Sequence, residues 1–195
     1  MKATRWARHV ALTFACAWVI PGCLPAQAVD ERTAQCWSCH GDNGESPNPE
    51  TPSLGAQKSA YVLIQLYLFR EKMRRFELMN NAVKGFSDDD LRTFADMISR
   101  LPPPPPTADT VDPARMERGR ALVRQYRCNV CHSPDMAGRD AVPRIAGQRE
   151  DFLVKTMREY KANIRAGYDA SMGDVLQPIP DADILDLAYF TARQP

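Results

Sequence analysis

The sequence predicts an all-α fold built as two tandem, related halves. Three observations predict it. Short patterns between residues 36 and 91 recur in the same order between 128 and 184, at offsets of 91 to 93 residues. Apolar residues at helical spacing recur in each half. A run of five prolines, Pro102 to Pro106, stands between the halves.

The matching patterns are Pro52-Ser-Leu-Gly-Ala-Gln57 with Pro143-Arg-Ile-Ala-Gly-Gln148, and Phe86-Ser-Asp-Asp-Asp-Leu91 with Ile179-Pro-Asp-Ala-Asp-Ile184. In chain order, residues 29–35 read as a short polar lead-in. Residues 41–52, rich in Gly, Asn, Ser and Pro, read as a loop. A helix is expected from Lys58 to about Arg75, apolar over 61–69 except for Gln65. A helix apolar nearly all round is buried nearly all round, so its extra face is expected to dock the second half or another subunit. Its counterpart at 151–160 is amphipathic. Residues 80–86 read as irregular. Ser87-Asp-Asp-Asp90 has the form of a capping box, followed by Leu91, Phe94, Ala95 and Ile98 at helical spacing.

Leu101 and the prolines end that helix, because proline lacks an N–H and clashes with the preceding turn. As polyproline II, about 3.1 Å per residue, the run makes a semi-rigid spacer of roughly 15 Å. The division expected is 29–101, a linker at 102–112, and 113–195. A further helix is expected over 113–126, with Gly119 placed for close packing and Arg115, Arg118, Arg120, Arg124 and Arg127 loading it with positive charge. Pro180 stands where the first half has Ser87, and is expected at the first helical position.

The N-terminus reads as a secretory signal, residues 1–28. Lys2, Arg5 and Arg8 are positive, 10–20 is apolar but too short to span a bilayer, and Ala26-Gln27-Ala28 is a cleavage site. Ile20-Pro21-Gly22-Cys23 also resembles a lipobox, with Pro21 out of pattern, so lipidation at Cys23 is the alternative fate. Cleavage turns 25 basic residues into 22 against 24 acidic ones, a formal charge of about −2. Nothing in that balance suggests nucleic acid.

After cleavage, the four remaining cysteines lie in Cys36-Trp-Ser-Cys39-His40 and Cys128-Asn-Val-Cys131-His132, and His40 and His132 are the last histidines. C-x-x-C-H is the attachment signature of a c-type haem. Thiols three positions apart add to the two vinyl groups on one porphyrin edge, and the histidine that follows reaches the iron. The competing readings of paired C-x-x-C runs are structural zinc and disulfides. With no spare histidine, the second axial ligand falls to methionine, whose thioether favours Fe(II). Met79 and Met172 correspond in the repeat, each about 40 residues after its histidine and eight before the start of the last helix. Met97 and Met157 read as core, Met116 and Met136 have no counterpart, and Met73 is the rival to Met79. Two closed His/Met irons point to electron transfer.

These residues resemble the dihaem cytochrome c4 family of class I c-type cytochromes, and the resemblance runs over essentially the whole mature chain. It implies two tandem cytochrome c-like domains related by a pseudo-twofold, with two covalently bound haem c facing each other near the interface. Cys36, Cys39, Cys128 and Cys131 would bind the haems, and His40, Met79, His132 and Met172 the irons. It implies a periplasmic, non-enzymatic carrier between a quinol-oxidising complex or dehydrogenase and a terminal oxidase or reductase. Membrane association would come only through such a partner or lipidation at Cys23. The alternatives are a haem enzyme with one labile axial site, of peroxidase or thiosulfate-oxidising type, and an electron-transfer subunit of a dehydrogenase complex. One departure is plain: the first half has about seven mature residues before Cys36, so its leading helix is expected to be short or missing.

Overall fold

The computed structural model describes residues 27–165 and 170–195. The expected signal at 1–28, with Cys23, lies outside them except for the backbone of Gln27 and Ala28. Nine helices form among the described residues: α1 Gln27–His40, α2 Ser59–Arg70, α3 Glu77–Ala82, α4 Asp88–Ser99, α5 Pro113–Gln125, α6 Cys128–His132, α7 Glu150–Lys161, α8 Ala170–Leu176 and α9 Asp181–Ala192. The described residues contain no strand, only one isolated bridge between Arg139 and Val142. The expected all-α, two-unit fold is what the chain adopts.

Each unit has its own core. In the first, Val62, Leu66 and Phe69 of α2 meet Leu91, Phe94, Ala95 and Ile98 of α4. In the second, Val123 of α5 meets Ile184, Leu187 and Phe190 of α9, with Leu176 and Ile179 beneath. Helices α5 and α7 both pack on α9. Gly119 permits the first of these contacts, since a Cβ there would lie 2.4 Å from Phe190 Cβ and 2.5 Å from Asp186 O.

The caps follow the sequence. Ser87 Oγ accepts from Asp90 N–H, and the Asp90 carboxylate accepts from Ser87 N–H at 2.9 Å, completing the capping box. Asp112 caps α5, with Pro113 in the first turn. Pro180 is not the first helical residue but the N-cap itself, and its carbonyl accepts from Asp183 and Ile184 N–H.

Four local expectations are corrected. Residues 29–35 are helical, part of α1, so the leading helix of the first unit is present though short. The helix expected to reach about Arg75 stops at Arg70: Lys72 takes a left-handed φ of 58°, and Arg74 N–H turns back to Leu68 O at 3.0 Å. The stretch 80–86 begins inside a helix, α3. The prolines do not form a free spacer: Pro104 is buried, and a Cβ on Gly55 or Gly147 would come within 2.1 Å of Pro102 O or 2.6 Å of Pro104 O. The linker is a strap lying across both units. Beyond it Thr107 N–H bonds Ala192 O at 3.0 Å, and Asp109 pairs with Arg193.

The two 52–57 and 143–148 loops face each other across the interface. Ser53 N–H donates to Gln148 Oε1 (2.8 Å) and Gln148 Nε2 donates to Ser53 O (2.8 Å). Arg144 N–H donates to Gln57 Oε1 (2.7 Å) and Gln57 Nε2 donates to Arg144 O (2.9 Å). Around this centre, Arg149 donates to Ser46 O at 2.9 Å and Lys155 pairs with Glu50 at 2.9 Å. Of the extra face of α2, Leu68 is buried while Tyr67 stays 45% exposed, so burial all round is not reached.

Candidate haem sites

Cys36 and Cys39 lie on the last turn of α1, and Cys128 and Cys131 on α6. Three residues apart on a helix, the two thiols of each run share a face. None of the four pairs with another in a disulfide. In each run the first cysteine is half-buried against its own core, and burial pushes the Cys36 and Cys128 thiols up. The second cysteine is exposed. The runs enter differently: α1 is continuous through its motif, whereas Arg127, at φ 58°, breaks α5 from α6.

His40 and His132 are 8% and 5% exposed. Each Nδ1–H donates to the carbonyl of the first residue of its repeat loop: His40 to Pro52 O and His132 to Pro143 O, both at 2.9 Å. That bond fixes the tautomer and leaves Nε2 as the nitrogen lone pair for a metal. Burial pushes the His40 pKa down, against the Pro52 carbonyl, which favours the neutral ligating form.

Met79 on α3 and Met172 on α8 are half-buried, each packed on the same core as the first cysteine of its unit. The rival Met73 is 59% exposed. Met97 and Met157 pack on the cores as expected, as does Met116. Met136, with no methionine at the matching position of the repeat, is 2% exposed in the second core.

Asn80 was not legible in the sequence. Its Nδ2 donates to Phe69 O (2.6 Å) and Arg74 O (2.8 Å), and its Oδ1 accepts from Phe76 N–H (2.9 Å). It ties the Met79 segment to the end of α2. Gly173 stands at the matching position, so the repeat could not reveal it. The second unit uses Gln177 instead, whose Nε2 donates to Lys161 O at 2.6 Å.

The residues present fit a haem c. Arg144 Nε is the single buried side-chain nitrogen or oxygen among the described residues with no hydrogen-bond partner, and a propionate carboxylate is the kind of acceptor a guanidinium takes. No group of three or more His, Cys, Asp or Glu gathers among the described residues in the manner of a zinc site. The positive face expected on α5 is only partly paired within the chain, two guanidiniums sharing each carboxylate: Arg115 and Arg118 pair with Asp186 at 3.0 and 2.7 Å, and Arg120 and Arg124 lie 3.8 and 3.9 Å from Glu117.

An all-α chain of two helical units, each with a C-x-x-C-H run and a half-buried methionine on one core, defines a two-module c-type cytochrome. No protein-family model matches the chain. Cytochrome c4 of Azotobacter vinelandii is 27% identical over 185 residues, covering 85% of this chain and 87% of its own. Cytochrome c4 of Pseudomonas aeruginosa is 26% identical over 176 residues, covering 85% and 86%. The crystal structure of reduced recombinant cytochrome c4 from Pseudomonas stutzeri matches with a TM-score of 0.78 at 26% identity, over 88% of this chain and 99% of that one. A thiosulfate dehydrogenase from Marichromatium purpuratum shares the fold, with a TM-score of 0.70 at 24% identity, over 82% of this chain and 36% of that one. The resemblance to the dihaem cytochrome c4 family is borne out: this is a dihaem c-type cytochrome, with two covalent haem c and the role of an electron carrier.

Proposed function

We propose that the protein is a periplasmic carrier that takes electrons from a quinol-oxidising complex or dehydrogenase and delivers them to a terminal oxidase or reductase. In this reading Cys36 and Cys39 hold one haem and Cys128 and Cys131 the other. His40 with Met79, and His132 with Met172, would hold the two irons. The observation that carries it is the duplicated arrangement in which a proline carbonyl fixes each histidine and a half-buried methionine shares the core of its unit's first cysteine.

When bound, haem c supplies a one-electron Fe(II)/Fe(III) couple. The chain's own residues do the rest. Pro52 and Pro143 carbonyls hold the imidazoles in orientation. The Met79 and Met172 thioethers would be the second protein ligands and would keep exogenous ligands out. The histidines are buried, and that exclusion of water would lower the reorganisation accompanying electron transfer at a bound haem. No helix among the described residues is long and apolar enough to cross a membrane, and attachment would come through a partner or lipid at Cys23.

A reduced visible spectrum with and without carbon monoxide, with haem counted as pyridine haemochrome, tests the reading. Two haems per chain and no carbon monoxide shift are expected. Met79→Ala and Met172→Ala should each open one iron and lower its potential. A carbon monoxide shift in the unaltered protein would move the function to a haem enzyme with one labile axial site, of peroxidase or thiosulfate-oxidising type.

A further inference from the structure

Pro52 O, which accepts from His40, and Ser53 N–H, which donates to Gln148 Oε1, belong to one peptide unit. Pro143 O, which accepts from His132, and Arg144 N–H, which donates to Gln57 Oε1, likewise belong to one unit. Each histidine is therefore linked through a single polarisable amide to a glutamine of the other module. Gln57 and Gln148 are 7% and 6% exposed. Each glutamine oxygen also accepts from the next backbone N–H, Lys58 or Arg149, at 3.0 Å. The side chains are thus clamped at both ends, by geometry that repeats about the pseudo-twofold.

We infer that Gln148 sets the strength of the hydrogen bond made by His40, and Gln57 that made by His132, so that each haem is tuned by a positioning residue of the opposite module. The inference rests on reading His40 and His132 as axial ligands. A hydrogen bond accepted from a peptide N–H draws electron density toward the carbonyl of the same unit. The carbonyl then binds the imidazole Nδ1–H more tightly, and the imidazole gains anionic character and donates more strongly to iron. Stronger donation favours the ferric state. Removing the glutamine oxygen weakens the chain of polarisation and raises the potential of the haem across the interface.

The test uses the dihaem holoprotein with Gln148→Met and Gln57→Met, compared by redox titration with haem resonances assigned to each module, and by the 15N shift of each histidine Nδ1. Gln148→Met should shift the His40 resonance and raise the first module's potential more than the second's. Gln57→Met should show the opposite pattern. Equal shifts at both haems, or a larger shift at the variant's own module, would mean simple loosening of the interface and overturn the proposal. Should Gln148→Met not fold, Gln148→Glu keeps an accepting oxygen and should lower the first module's potential, and an unmoved or raised value overturns the proposal. The ligation reading fails separately: in the unaltered protein, His40 and His132 ring resonances would then lack the shifts a bound haem imposes.

Discussion

Helices α4 and α9 hold the same place in the repeat and are buried to different depths. In α4 the buried residues are Leu91, Phe94, Ala95 and Ile98, one face of an amphipathic helix. In α9 every residue from Leu187 to Ala192 is buried. The difference falls where Asp96 and Met97 of α4 stand against Tyr189 and Phe190 of α9. Helix α5 covers that side of α9, and Gly119 lets the backbones close. The first unit's leading helix reaches α4 instead by a surface tie, Arg32 to Asp90 at 2.8 Å. Two copies of one pattern thus differ in burial according to what chain precedes each cysteine run.

The largest effect expected from breaking this contrast is at Phe190. Phe190→Ala should cost about 3–5 kcal/mol, whereas Met97→Ala, half-buried, should cost less than about 2 kcal/mol by the same cavity argument, both read from urea unfolding of the holoprotein. Next comes Gly119→Ala, which forces a Cβ against Phe190 and the Asp186 carbonyl. It should cost about 1–3 kcal/mol as overpacking and raise the urea sensitivity of the second unit. A smaller contrast lies at the caps. Ser87→Ala should cost about 1 kcal/mol, while Pro180→Ala, where no side chain caps, should change thermal unfolding by less than about 0.5 kcal/mol.

The smallest effect is that of pH on the Arg32–Asp90 tie. The Arg32 guanidinium holds the Asp90 carboxyl down to about 2, below its ordinary value of about 3.9. The folded value lies below the unfolded one, so this stabilisation is present above the ordinary value and is lost as pH falls through the folded one. Both side chains keep some contact with solvent, at 34% exposed for Arg32 and 20% for Asp90, so screening keeps the gain small. Stability of the first unit should decline between about pH 4 and 2, and Arg32→Gln should reduce that decline without altering the second unit.

Much of the candidate site was legible because its chemistry is spaced in sequence. The two C-x-x-C-H runs, the expected removal of residues 1–28, which carry the third histidine, His9, and the shared offset of Met79 and Met172 single out eight residues without a structure. Asn80 was hidden because its bonds go to the backbone of Phe69, Arg74 and Phe76, and such contacts have no periodicity. Met136 looked unassigned because its counterpart in the first unit is Gly44, whose added Cβ would meet Leu101 at 3.0 Å. One unit fills that space from within its loop and the other from the start of the linker. The helix end at Arg70 was misplaced and α3 was missed because left-handed Lys72 and the Asn80 bonds, not propensity, decide them.

By itself the sequence determined most of the helices, the capping box at Ser87, the doubling of the fold and the haem-attachment chemistry. These depend on local periodicity, on side chains a few residues apart, and on the supply of thiols, imidazoles and thioethers. The tertiary structure alone decided that the prolines form a packed strap, that α9 is buried more deeply than α4, and that Gln57 and Gln148 each grip the peptide that orients the other module's histidine. Those outcomes need partners from 43 (Pro104 and Gly147) to 95 (Ser53 and Gln148) residues apart, and no local pattern records which surfaces will meet.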